Sequence, residues 1–418
     1  MKSRTYLELI RENKDFRQLW IAAVISMLGQ WFNTIALFLL ILEFTGSEFL
    51  LGLLFTIRMA GFALLQPFIG LMADRFNRKM LMIASNLVQS VLALCFLLVN
   101  DSDDIVWMIG LSGVMMILHG VYMTAERAAL PNLVSEEDLA TANALDAASW
   151  STALCIGAML GGVVVSIAGA DAAFIIDSIT FLVGTLFLVT LTIPQTIDES
   201  MKGPWISTAF KNIKYGWNRI RGQPALFRIV FAKASWNIAG GGLAGVYLVL
   251  MGANVDGFGA AFGFGLFFFA RGVGTGLGPI LARAYLKDEE AWPAMIGYLI
   301  ALSGLIYFLV GLSVPYALWT TVVLVIFAHS ASGANWVLST VMMQRWVEDE
   351  VRGRVFSVDM MILSVAFSIS TTVAGYVMEN TDLGIRNGIL MFSSVMVLSG
   401  LIFSAWRPET PEVVPHSV

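Results

Sequence analysis

The chain has 418 residues, 57% hydrophobic and only 13% charged, with a mean hydropathy of +0.77 and a formal net charge of −5. A soluble globular protein carries roughly a quarter charged residues, so composition excludes that class and indicates a polytopic membrane protein. The slight acidic excess gives no reason to expect a nucleic-acid partner.

Met1–Arg17 is charged and partly amphipathic, unlike a cleaved signal peptide. Apolar runs between polar breaks predict about twelve spans. The first half gives 17–45, 49–73, 79–100, 105–126, 140–168 and 171–193, the last two parted only by Gly169-Ala170-Asp171. The second half gives 225–252, 257–284, 292–312, 315–343, 353–378 and 384–406. Between them, 194–224 carries Ile206, Phe210, Ile213, Trp217 and Ile220 at helical spacing among Lys211, Lys214, Arg219 and Arg221. That pattern predicts an amphipathic linker helix on the inner membrane surface. The expected domains are thus 1–193, 194–224 and 225–418, the last ending in a short cytoplasmic tail.

Charge sets the topology. With a cytoplasmic N-terminus, the inner segments hold Lys2, Arg17, Arg75, Arg78, Lys79, Lys202, Arg283, Arg345, Arg354 and Arg407 among others. Of the 25 bases only Arg386 falls outside, while Arg58, Lys233 and Arg271 lie within spans. This asymmetry puts both termini in the cytoplasm. Cys95 and Cys155 fall inside apolar helices and imply no disulfide framework. Arg58 and Arg271 are 213 residues apart, as are Asp146 and Asp359, which points to two repeated halves.

The stretch Gln66 to Lys79, QPFIGLMADRFNRK, ends an apolar span in an acid followed by three bases. Its spacing, Gly70-x-x-x-Asp74-Arg75-x-Asn77-Arg78-Lys79, resembles the loop signature of the major facilitator superfamily. Asn77 stands where that family usually has Gly, and Asn tolerates the positive φ of a tight turn. Ala129-Leu130-Pro131-Asn132-Leu133-Val134, Gly157-x-x-x-Gly161-Gly162 and Arg352-Gly353-Arg354-Val355-Phe356 resemble the branch holding enterobactin exporters and macrolide-efflux proteins. Ala158 replaces the proline of that branch's usual export signature. The resemblance implies an all-α integral membrane fold of two pseudo-symmetric six-helix bundles. It also implies that Asp74 approaches the start of span eleven, near Gly353 and Arg354, when the inner side is closed. The repeated pair Asp146 and Asp359 completes the expected cytoplasmic gate.

In that fold spans one, four, seven and ten line a central cavity. Helical stripes on them offer Gln30 and Asn33; Met115, His119, Tyr122 and Glu126; Lys233, Trp236 and Asn237; and His329 and Trp336. His119 and His329 sit near mid-depth and are either proton carriers or neutral imidazoles bonded between helices. Glu126 is either a proton site or a solvated partner of Arg127. Lys233 either meets an anionic substrate or snorkels inward. Arg58 and Arg271 each need a partner, and a structural role at the junction of the halves suits both. Asp177 lies in a span that faces lipid in this fold, so a bond to a neighbouring helix is expected.

No phosphate-binding Gly-x-x-x-x-Gly-Lys-Ser/Thr and no Cys/His metal spacing occur, so no cofactor is expected. Gly240-x-Gly242-x-x-Gly245 has no strand before it and suits close packing or flexibility. The expectation is a monomeric, proton-coupled exporter of small amphipathic, neutral or anionic aromatic cargo in a bacterial inner membrane, and not an enzyme. Macrolide or multidrug efflux, and a non-transporting receptor or scaffold, are the alternatives.

Overall fold

The computed structural model describes residues 4–195, 204–255, 257, 259–314 and 317–409, so Lys2, Lys202 and the tail from 410 lie outside the described residues. Every regular element among them is helical. A short α1 (Tyr6–Glu12) precedes α2 (Lys14–Thr45), α3 (Glu48–Arg75), α4 (Arg78–Cys95) and α5 (Ile105–Leu133). Then come α6 (Leu139–Thr152) and α7 (Ala158–Thr190), joined by a π-helical turn over Ala153–Gly157. After α8 (Trp205–Arg221), α9 (Pro224–Gly242) continues through a second π-helical turn, Leu243–Tyr247, into α10 (Leu248–Ala253). The chain ends with α11 (Ala260–Tyr285), α12 (Trp292–Ser313), α13 (Leu318–Trp346), α14 (Asp349–Asn380) and α15 (Gly384–Ala405).

Eleven helical rods among the described residues are long and apolar enough to cross a membrane, and one of them runs 55 residues, Glu136–Thr190. At 1.5 Å per residue that rod would measure about 80 Å, far more than a bilayer core needs. Gly169, at φ 81 and ψ 174, divides it into two spans. Only glycine enters that backbone region without strain. The break falls in the expected Gly169-Ala170-Asp171, and it gives the twelve spans. The fourth span extends to Leu133, well past its expected limit of 126.

Polar side chains set the helix starts. Asn13 accepts the Phe16 N–H at 2.9 Å ahead of α2, and Ser47 accepts the Leu50 N–H at 3.0 Å ahead of α3. Within each half, α2 packs along α7, α12 along α15 and α11 along α13; the halves meet where α3 runs beside α14 and α7 beside α11. α8 forms where the sequence predicts an amphipathic helix, but its apolar stripe divides. Ile213, Trp217 and Ile220 pack inward, because the second part of α8 lies on α14 and α9, whereas Ile206 and Phe210 are exposed.

Arg228, expected as one more cytoplasmic base, is buried instead. It donates to the carbonyls of Pro293 (2.6 Å), Phe403 and Trp406, binding the foot of α9 to α12 and α15. The glycine run above it serves close packing: the Gly242 N–H donates to Ser370 Oγ of α14 at 2.8 Å.

Candidate functional site

The seams between the halves differ at their two ends. Toward the face away from the chain termini, α3 and α14 touch through backbone. A Cβ on Gly52 would stand 2.4 Å from the Thr371 carbonyl oxygen, and one on Gly375 2.5 Å from that of Glu48. In lipid, where apolar burial drives little association, such small-residue contacts hold helices together. Thr56 Oγ1 joins the seam, 3.0 Å from Thr371 Oγ1 and 2.7 Å from Thr372 Oγ1. At its far end Glu379 of α14 reaches the first turn of α3. Its carboxylate accepts the Phe49 N–H at 2.9 Å and the Ser47 hydroxyl. Ser47 is the N-cap of α3, so the negative charge lies where first-turn amides lack partners and the helix dipole is positive.

At the termini face the corresponding carboxylate, Asp74, makes no such contact among the described residues. Asp74, at the end of α3, is exposed, and the charges bearing on it are Arg78 and Arg75 of its own loop. A Cβ on Gly70 or Gly353 would meet nothing within 4 Å outside its own helix. The expected contact of Asp74 with the start of α14 is therefore not made in this arrangement. α8 touches both of its halves instead. The Arg75 guanidinium lies 4.7 Å from the Trp205 ring centroid, and that of Arg354 lies 5.1 Å from Tyr215. Arg219 donates to both oxygens of Glu348 at 2.7 and 3.0 Å, which holds that carboxyl below the ordinary carboxylate range.

Several gate expectations change. Asn77 does not take positive φ; at φ −63 it is the N-cap of α4, and its side chain accepts the Met80 N–H at 3.0 Å. Glycine at that position could not supply this bond. Arg78 donates to the carbonyls of Ala73 and Ala128 and to Asn132 Oδ1, and Lys79 to the Val189 carbonyl at 2.8 Å. These bases brace the loops of their own half and do not reach across. Asp146 is half-buried, within electrostatic reach of Glu126 and Arg127. Asp359 is not at the gate. Its Oδ2 accepts from Lys233 Nζ at 2.5 Å, and both side chains are almost wholly buried, so Lys233 neither snorkels nor stands open to a substrate. Desolvation drives this pairing, because either charge alone would be very costly there.

Of the expected cavity residues, Trp336 is the most open, 48% exposed, with Lys233 Nζ 5.5 Å from its ring centroid. Gln30, His119, Trp236 and Asn237 are half-buried. Gln30 Nε2 donates to His119 Nδ1 at 2.8 Å, and Trp236 Nε1 to Ser303 Oγ at 3.3 Å. Asn33, Met115, Tyr122 and His329 are buried in helix contacts. Tyr122 packs among Leu19, Ala22 and Met82, and His329 Nε2 lies 2.7 Å from the Tyr307 hydroxyl of α12. His329 thus matches the neutral-imidazole alternative in its surroundings. Glu126 remains half-buried.

Arg58 and Arg271 do not bridge the halves. Arg58 donates to Thr34 of α2 at 3.3 Å, and Arg271 to the Ala244 carbonyl, in the π turn after α9, at 2.8 Å. Each reaches from the second span of its half to the first, as repeated halves require. Asp177 is fully buried between helices, with no lipid contact. Sequence reasoning missed Glu379. The signal was available, since the rule applied to Asp74 applies equally to an acid at the opposite end of the same helix pair.

This architecture, twelve spans in two halves joined by two seams, is that of a transporter. The chain belongs to the Major Facilitator Superfamily, whose profile matches residues 19–330 and 291–417. It is 21% identical over 343 residues to a putative bacilysin exporter, BacE, of Bacillus amyloliquefaciens, covering 80% of each chain. An uncharacterized MFS-type transporter of Mycobacterium tuberculosis is 23% identical over 369 residues, with 83% of this chain and 80% of the relative covered. Among solved structures, a bacterial homolog to the human lysosomal transporter Spinster matches with a TM-score of 0.70 at 16% identity, covering 96% and 97% of the two chains. A POT family transporter in complex with 5-aminolevulinic acid matches with a TM-score of 0.70 at 13% identity, covering 93% and 94%. The chain is a multi-pass membrane transporter, not an enzyme.

Proposed function

We propose that this transporter exports small amphipathic compounds from the bacterial cytoplasm by alternating access, with both termini and the Asp74 loop on the inner side. The observation that carries the reading is the asymmetry of the α3–α14 seam: Glu379 caps α3 at one end while Asp74 and Gly353 are apart at the other. Each latch is a carboxylate at a helix start, so closing one while opening the other costs little net free energy. That balance suits two bundles rocking about a midplane site. Relatives named as putative exporters favour export over import.

Protons are the proposed coupling ion, and neutral or anionic aromatic cargo of the siderophore type the proposed substrate. The open indole of Trp336 supports an aromatic ring as partner. Macrolide or multidrug efflux is the second reading, favoured by the half-buried Glu126, which suits a basic drug. The test is uptake into inverted vesicles under an imposed pH gradient, with catechol siderophores, macrolides and cationic dyes as separate arms. Accumulation driven by an acidic interior supports the proposal; indifference to the gradient in every arm refutes the coupling.

A further inference from the structure

The first half contains a buried polar layer that the proposed transport path does not use. Asn86 and Gln89 of α4, Asn33 of α2, and Asp177 and Ser178 of α7 are all buried. Here Gln89 Oε1 lies 3.4 Å from Gln30 Nε2, which is itself bonded to His119 on α5. Asp177 lies beside Gly29, the neighbour of Gln30, where a Cβ would stand 2.9 Å from its Oδ1.

Asp177 is 0% exposed, with the Asn33 side-chain amide as the donor beside it and no cation in ion-pair contact among the described residues. An ionised carboxylate placed so would have exchanged its hydration for one neutral amide and no counter-ion in contact. The group that could supply one is close. Arg58 of α3 is the charged side chain that bears on Asp177, and it is held on Thr34, next to Asn33, by a long 3.3 Å bond. The neighbouring polar groups of α2 and α4 are neutral amides and hydroxyls, and α5 contributes His119 through Gln30.

We infer that Asp177 is a proton-binding site, protonated in the present arrangement and ionised when Arg58 leaves Thr34 to pair with it. The proton released from the carboxyl goes to solvent water, and its return frees Arg58. The inference rests on the transport reading and names its coupling group.

The probe is dicyclohexylcarbodiimide, which adds to a protonated carboxylic acid in an apolar setting and not to a carboxylate. Purified full-length protein is labelled across a pH series, with and without sodium chloride, and the modified residue is located by mass spectrometry. The expected result is labelling of Asp177 that persists at neutral pH, falls at alkaline pH and ignores sodium. No labelling at any pH, or protection by sodium at constant pH, overturns the inference. Asp177→Asn is then compared in proteoliposomes by counterflow and by gradient-driven uptake of the cargo found in the vesicle screen. Retained counterflow with at least tenfold loss of gradient-driven uptake is expected; equal loss of both, in folded protein, also overturns it. Arg58→Lys serves as a second variant, expected to shift the pH dependence of labelling. Absence of any transport by wild type counts against the transport reading, while the labelling result stands on its own.

Discussion

Replacing Glu379 by Gln removes a charge from the start of α3 while keeping the shape of the side chain and one acceptor oxygen. In the structure that carboxylate accepts the Phe49 N–H at 2.9 Å and the Ser47 hydroxyl, at an exposed position. A charge at an exposed helix N-terminus contributes about 0.5–1 kcal/mol, the low end of the range for this interaction. Because the contact exists only when this end of the seam is closed, its loss falls on one side of the conformational equilibrium. That converts to a roughly two- to five-fold shift toward the arrangement open at this face. The assay is a spin-label distance measurement between Asp103→Cys and Asp382→Cys, in a background lacking Cys95 and Cys155. The long-distance population should grow in Glu379→Gln and the shift should shrink as salt is raised. An unchanged distribution, or a move toward the closed distance, refutes the latch.

Asp74→Asn should impair transport without lowering expression, since Asp74 is exposed and the charges bearing on it belong to its own loop; a normal transport rate in reconstituted protein removes the gate assignment. Lys233→Ala should lower stability in detergent by about 3–5 kcal/mol, because Asp359 is left charged and buried, and adding Asp359→Asn should restore much of the loss. Thermal unfolding of the two variants checks this, and additive losses would contradict a coupled pair. The Arg219–Glu348 tie contributes below about 1 kcal/mol at its partly exposed site. Glu348 is lowered in the folded protein, so this contribution is present above the unfolded carboxyl value of about 4.3 and is lost as pH falls through the folded value. The stability gap between wild type and Arg219→Ala should therefore close under acid, and a gap that widens there has the wrong sign.

The spans were legible because lipid imposes a length and a charge rule that act on the sequence directly. Even the turn at Gly169 announced itself, as glycine next to a polar residue in an otherwise unbroken apolar run. What stayed hidden depends on which helix faces which. Lys233 and Asp359 are 126 residues apart, and nothing in either neighbourhood names the other. Glu379 is one of many exposed acids until α3 is known to start beside it. Asn77 was read through its backbone tolerance, when its side-chain oxygen was the relevant part. The π-helical turns leave no mark in hydropathy at all, since they alter hydrogen-bond register and not composition.

The foot of α9 has a mechanical consequence. Arg228 spends its guanidinium on three carbonyls of two other helices, so that end cannot turn independently of α12 and α15. Higher up, the glycine run is seated on α14, and Gly252 near the tip meets the backbone of α11 at Gly263. A rod gripped along its length passes force on without yielding. A solute pressing on it accordingly turns α9 and α10 together with the helices they are fastened to, so this half responds as one body.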